Sequence, residues 1–153
     1  MLNIVLVEPE IPQNTGNIAR TCACFGMRLH LVSPLGFVPS ERNLRRAGCD
    51  YWDKVDIVRW NSLDAFLEAH GAETLHLFTG RATRIYTQIA YGADDFLVFG
   101  RESTGLPQSL LDAYPDACVR IPMRAGLRSL NLSNAVAIAA AEALSKQGFP
   151  GLV

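Results

Sequence analysis

The chain predicts an α/β fold, a mainly parallel sheet with helices on both faces. Three observations carry that expectation. Short apolar runs such as NIVLV and FLVF show no polar alternation, as strands buried on both sides do. Segments with apolar residues at helical spacing lie between them. Gly and Pro punctuate the junctions.

Leu2–Val7 reads as a buried strand, ended by Glu8-Pro9. Asn14–Phe25 places Ile18, Ala19, Cys22, Ala23 and Phe25 at helical spacing, with Asn14 or Thr15 as N-cap and Gly26 as the stop. Leu29–Val32 is a second strand, closed by Ser33-Pro34. Ser40–Gly48 suggests a short helix that groups Arg42, Arg45 and Arg46 by i, i+3, i+4 spacing. Val55–Val58 is a candidate strand, and Leu63–Ala69 a helix capped by Asn61 or Ser62. Leu75–Thr79 and Phe96–Phe99 are two more buried strands. Pro107–Ala113 is a short helix with proline in its first turn. Val119–Ile121 is the last strand, and it feeds an alanine-rich C-terminal helix, Leu132–Leu144. Apolar residues all round that helix imply burial on more than one side. With no linker, repeat or low-complexity segment, residues 1–153 are expected to form a single domain.

The 153 residues are 49% hydrophobic and 19% charged, an ordinary globular balance with room for a real core. The net charge of −1 does not by itself announce a nucleic-acid partner. Of the 14 basic residues only Lys54 and Lys146 are Lys, and the rest are Arg. Arg suits bidentate phosphate contacts and stacking on bases, although a codon bias towards Arg gives the same count. Cys22, Cys24, Cys49 and Cys118 lack the spacing of a zinc or redox site, so free thiols in a reducing compartment are expected. No apolar run approaches the roughly 18 residues of a membrane span. The expected location is the cytoplasm.

Ligands of parallel α/β sheets collect beyond the carboxyl ends of the strands. Three polar loops occupy such places: EPEIPQNTGNIAR at Glu8–Arg20, FGRESTGLP at Phe99–Pro107 and PMRAGLRSLNLSN at Pro122–Asn134. There is no G-x-G-x-x-G for a standard dinucleotide fold. Gly100 and Gly105 have P-loop spacing, but Leu106-Pro107 stands where Lys-Ser/Thr belongs. No G-x-S-x-G elbow supports a serine hydrolase. His30, His70 and His76 are not spaced as metal ligands, so no metal is expected. Taken singly, Asn14, Gly16, Asn17, Asn131 and Asn134 read first as cap and turn residues.

Together the three loops resemble the SPOUT superfamily of RNA methyltransferases, in particular the small bacterial tRNA wobble-nucleotide 2′-O-methyltransferases. Pro12, Asn14, Gly16, Asn17, Ile18 and Arg20 match the PxNxGNIxR stretch. Phe99, Gly100, Glu102, Gly105, Leu106 and Pro107 match FGxExxGLP, and Ile121–Met123 with Ser129–Asn134 match IPM…SLNLSN. LRRAGCDYW at Leu44–Trp52 resembles a further family segment, and the likeness spans essentially the whole chain.

The resemblance implies a deep C-terminal trefoil knot, against the base rate for knotted chains. It implies S-adenosylmethionine as cofactor, with S-adenosylhomocysteine as product. Phe78, Thr79, Gly100, Glu102, Gly105, Ile121, Met123, Ser129 and Leu130 are the cofactor-binding residues it suggests. The reaction implied is methylation of the ribose 2′-OH at tRNA position 34, a cytidine or modified uridine, in leucine isoacceptors. Arg20 is the leading catalytic residue; Asn14, Glu102, Ser129 and Asn131 position the nucleotide or brace the loops. A guanidinium keeps its proton with a pKa above about 12, so orienting a phosphate or an alkoxide suits Arg20 better than acting as a base. Arg42, Arg45, Arg46, Arg124 and Arg128 are candidate tRNA phosphate contacts. A homodimer through the C-terminal helix is implied too. Ala141 departs from the family pattern, which places an aromatic residue before Glu142. The same motifs would serve methylation at another tRNA or rRNA position, or a SPOUT protein that binds without methylating.

Overall fold

The computed structural model describes residues 1–38 and 51–153. The helix expected at Ser40–Gly48, with Arg42, Arg45 and Arg46, lies outside the described residues. Strands β1 (Asn3–Val7), β2 (Arg28–Val32), β3 (Ile57–Trp60), β4 (Leu75–Phe78), β5 (Phe96–Phe99) and β6 (Cys118–Val119) form one six-stranded sheet. Its order is β3-β2-β1-β5-β4-β6, and every neighbouring pair is parallel. Among the described residues the α-helices are α1 (Pro12–Phe25), α2 (Leu63–His70), α3 (Gln108–Ala113) and α4 (Leu132–Lys146).

Side chains alternate across the central strands and build a core on each face. Ile4, Leu6, Leu29, Leu31, Leu97 and Phe99 pack with Ile18, Ala19 and Cys22 of α1 and with Val136, Ala139, Ala140 and Ala143 of α4. Val5, Val7, Val32, Phe96 and Val98 face the other way, onto Phe66 of α2 and Leu110 and Leu111 of α3. The small alanines let α4 lie close to α1. The unalternated apolar runs therefore mean what they suggested: these strands have no solvent face.

β1 leads to β2 and β3 on one side, while β5, β4 and β6 fill the other. The carboxyl ends of β1 and β5 therefore meet at the switch point of the sheet, where ligands of such folds bind.

Several boundaries differ from the sequence expectation, each for a tertiary reason. α1 starts at Pro12 with Ile11 as N-cap, so neither Asn14 nor Thr15 caps it. Proline suits a first helical turn, where its missing N–H costs nothing. Asn14 is thereby carried into the helix, and its buried side chain is free for other partners. The strand expected at Val55–Val58 runs instead from Ile57 to Trp60, because pairing with Leu29–Val32 sets its register. The last strand is Cys118–Val119; Arg120 adds a single bridge to Ile85, and Pro122, lacking an N–H, cannot extend it. Leu75–Thr79 shortens to Leu75–Phe78, and α3 starts one residue after Pro107, which caps it. α4 reaches two residues further, to Lys146. The caps at Ser62, whose side chain accepts from Ala65 N, and at Gly26, with φ 64°, form as expected. Among the described residues no helix is long and apolar enough to cross a membrane.

Candidate functional site

Beyond the carboxyl ends of β4, β5 and β6 lies an open cleft of ≈ 1170 Å³. Its walls come from the ends of β4 and β5 and from the long connection between β6 and α4, with Ile11 and Asn14 of the α1 start. All three polar loops singled out in the sequence therefore contribute to one cavity.

One chain of hydrogen bonds ties these loops together. Glu102, just after β5, accepts from Glu10 N (2.8 Å), Ile11 N (3.1 Å) and Asn14 Nδ2 (3.1 Å). A carboxylate at the α1 N-terminus is favoured by the helix dipole and answers otherwise unpaired N–H groups. Asn14 Oδ1 in turn accepts from Asn131 Nδ2 at 2.9 Å. Asn131 caps α4, its Oδ1 accepting from Ser133 N (2.9 Å), Ser133 Oγ (2.7 Å) and Asn134 N (3.3 Å). The pattern leaves one consistent orientation for both amides. Glu102, Asn14 and Asn131 are thus spent on each other, and they brace the site.

The β5–α3 loop is shaped by its glycines. Arg101 and Gly105 pair reciprocally, N to O at 3.2 and 2.9 Å, and Gly105 takes φ 74°. A Cβ on Gly100 would sit 2.1 Å from the Gly105 carbonyl carbon, so only glycine lets the turn fold back this tightly.

The opposite wall carries open groups. Among the described residues, the backbone N–H groups of Ile121, Met123, Ser129 and Leu130 make no hydrogen bond to another backbone group. Phe78, Ile121, Met123 and Leu130 bring apolar surface to the cleft, with Phe78 stacked on Phe99 at 4.6 Å between ring centres. Thr79, Gly100, Gly105 and Ser129 also line it, so every cofactor-binding residue the resemblance suggested reaches the cavity.

The basic residues divide. Arg124 and Arg128 line the cleft and are exposed. Arg81, Arg101 and Arg120 line it too, and the sequence reading missed them. Arg101 was legible, since it stands inside the second motif; it pairs with Glu8. Arg81 donates to Gln108 and was marked by no motif. Arg20 lies apart: it is exposed on α1, does not line the cleft, and its guanidinium sits 4.9 Å from the Tyr51 ring centre.

A model of the SpoU rRNA Methylase family matches residues 1–141. The chain belongs to the SpoU methylase family. It is 48% identical over 154 residues to the tRNA (cytidine(34)-2′-O)-methyltransferase of Escherichia coli K12, covering 100% of this chain and 98% of that one. The enzyme of the same name from Yersinia pestis is 47% identical over 157 residues, covering 99% and 97%. Among solved structures, one concerned with 2-OH methylation of C/U34 on tRNA superposes with a TM-score of 0.90 and 45% identity, covering 97% of each chain. An AdoMet-bound rRNA methyltransferase from Sinorhizobium meliloti superposes with a TM-score of 0.84 and 26% identity, over 94% of this chain and 56% of that one. The fold of this SpoU-family chain is thus that of S-adenosylmethionine-dependent RNA methyltransferases.

The cleft fits that cofactor on its own terms. Apolar side chains suit an adenine ring, and unpaired backbone N–H groups suit its ring nitrogens and the ribose and carboxylate oxygens.

Proposed function

We propose that this chain methylates the ribose 2′-OH of nucleotide 34 in tRNA, a cytidine or modified uridine of leucine isoacceptors, with S-adenosylmethionine as methyl donor. The observation that carries the reading is the cleft itself: three family motifs joined by the Asn131–Asn14–Glu102 relay around open backbone N–H groups.

S-adenosylmethionine supplies an electrophilic methyl on a cationic sulfur. Held there, it would give that methyl to the ribose 2′-oxygen and leave as S-adenosylhomocysteine, with the hydroxyl proton passing to solvent. The protein's task is alignment, and well-oriented reactants save roughly 7–11 kcal/mol. Ile121, Met123 and Leu130 hold the adenine, while the backbone of Gly100 and of Ser129–Leu130 fixes the ribose side. Arg124 and Arg128, exposed at the cleft, meet tRNA phosphates; Arg42, Arg45 and Arg46 stay candidate phosphate contacts on their sequence alone. Arg20 orients the phosphate beside the target ribose or steadies its 2′-oxygen.

Arg20 stands outside its own cleft, which supports a homodimer in which each copy completes the other's site. Ile138, an isoleucine 38% exposed on α4, offers apolar surface for that contact. Residues 1–153 act as one SPOUT domain, the passage from β6 to α4 carries the trefoil crossing, and the enzyme works in the cytoplasm. The return of α4 from the β6 edge to pack on α1 supports the crossing.

The deciding experiment incubates the protein with labelled S-adenosylmethionine and total tRNA, then maps the label by digestion and mass spectrometry. Label on the 2′-oxygen of nucleotide 34 is expected; no label in any RNA overturns the reading. Arg20→Ala should lose methyl transfer and keep cofactor binding, which separates an enzyme from a protein that only binds. Sedimentation at micromolar concentration should give twice the chain mass.

A further inference from the structure

Glu10 does not line the cleft, yet it grips the loop that does. Its carboxylate accepts from Ser103 N at 2.9 Å and from Ser103 Oγ at 2.8 Å. Its own N–H donates to Glu102 Oε2 at 2.8 Å, so the two loops hold each other in both directions. The neighbouring Glu8–Arg101 ion pair lies along the same seam. Behind Glu10, Gly36 N donates to Pro9 O at 2.9 Å, and a Cβ on Gly36 would lie 2.7 Å from Glu10 Cα. The Glu10 backbone is therefore backed against Gly36 and cannot retreat from Ser103.

We propose that Glu10 is a positioning residue that sets the β5–α3 loop in its cofactor-binding shape before the cofactor arrives. This rests on the reading of the cleft as the S-adenosylmethionine site. Ser103, Thr104 and Gly105 form one wall of that cleft, and Ser103 and Thr104 are exposed, with little packing to hold them. Without the clasp the loop spends time in other shapes, and apparent affinity falls by the fraction of molecules that are competent. Once bound, the cofactor holds the loop itself, so the loss falls on binding and not on turnover. The carboxylate matters because both its oxygens receive a donor, and charge-assisted bonds of this kind are the stronger ones. An amide offers one oxygen and turns its NH2 towards a donor.

The test has two arms. Calorimetric titration with S-adenosylmethionine is made on the wild type, E10A, E10Q and S103A, alongside steady-state kinetics. Hydrogen exchange of Ser103–Gly105 is followed in the cofactor-free proteins. E10A should raise Kd and KM for S-adenosylmethionine about tenfold, with kcat within about twofold, as expected for a lost competent fraction. S103A keeps the bond to the backbone N–H and should shift Kd about twofold, with E10Q in between. The Ser103 amide should exchange faster in E10A while β1 amides keep their protection. Wild-type Kd and exchange in E10A overturn the proposal, and so does protection lost equally throughout β1, which marks a general structural role. A wild type that binds no S-adenosylmethionine instead removes the reading of the cleft, while the exchange arm still reports on the clasp.

Discussion

Asn131 Nδ2 donates a hydrogen bond to Asn14 Oδ1 at 2.9 Å, joining two residues 117 positions apart in the chain. Asn131 caps α4 and Asn14 sits in the first turn of α1, so this one bond ties the starts of both helices on one face of the sheet. Asn14 passes the link on to Glu102. Asn14 is 5% exposed, so neither of its partners can be replaced by water without moving backbone.

Asn14→Asp tests the relay. An aspartate keeps the acceptor for Asn131 but turns a second carboxylate on Glu102, a partly buried like-charge pair with a lost donor. The expected cost is about 1–3 kcal/mol of stability at pH 7. Urea denaturation measures it, and the deficit should shrink as pH falls and one carboxyl takes up a proton.

Gly100→Ala should damage the site more than the fold. The added methyl would sit 2.1 Å from backbone in the Arg101–Gly105 turn, so the turn must open. Overpacking of this kind costs typically about 1–3 kcal/mol. Calorimetry should find S-adenosylmethionine binding weakened at least tenfold, with far-ultraviolet circular dichroism unchanged.

Arg124→Ala and Arg128→Ala probe the tRNA contact. Each should weaken tRNA binding and lower the slope of log K against log salt by about 0.7–0.9, the share of one phosphate contact. Cofactor affinity should hold. Filter binding across a salt series separates a phosphate contact from an arginine that faces only water.

His30 predicts an acid-sensitive stability. It is buried, takes a hydrogen bond from Trp60 Nε1 on Nδ1 (3.0 Å) and turns Nε2 to Asn3 Oδ1 (3.2 Å), an arrangement that suits the neutral ring. Burial first, then electrostatic interaction with His70 and Arg28, lower its pKa from 6.5 to about 4 against the smaller opposing pull of Asp56. The unfolded chain therefore binds a proton between those values that the folded chain refuses. His30's contribution is complete above pH 6.5 and is lost as pH falls towards 4, by at most about 1.4 kcal/mol per pH unit. Nuclear magnetic resonance of the imidazole checks this directly: a midpoint near 6.5 in the folded protein contradicts it.

Local pattern was informative where one element decides its own limits. Phe96–Phe99 needs only its apolar run, Ser62 only its helix, and Gly26 only its left-handed turn. Pattern misled where a partner strand sets the limits. Val55 and Val58 suit a strand by composition, yet pairing with β2 shifts it to Ile57–Trp60. It misled again at Asn14, where capping chemistry and a long-range bond use the same amide.

The sequence by itself determined that this is a parallel α/β chain with three polar loops of the SPOUT kind at its strand ends, because buried strands, helical spacing and motif order are local properties of the chain. Only the tertiary structure decided what those loops do to one another: that Glu102 is spent on the α1 start, that Glu10 clasps Ser103, and that Arg20 stays outside its own cleft. The physical reason is the strand order. Placing β1 beside β5 brings residues some ninety positions apart within hydrogen-bond reach, and no periodicity within either segment encodes which strand will lie beside it.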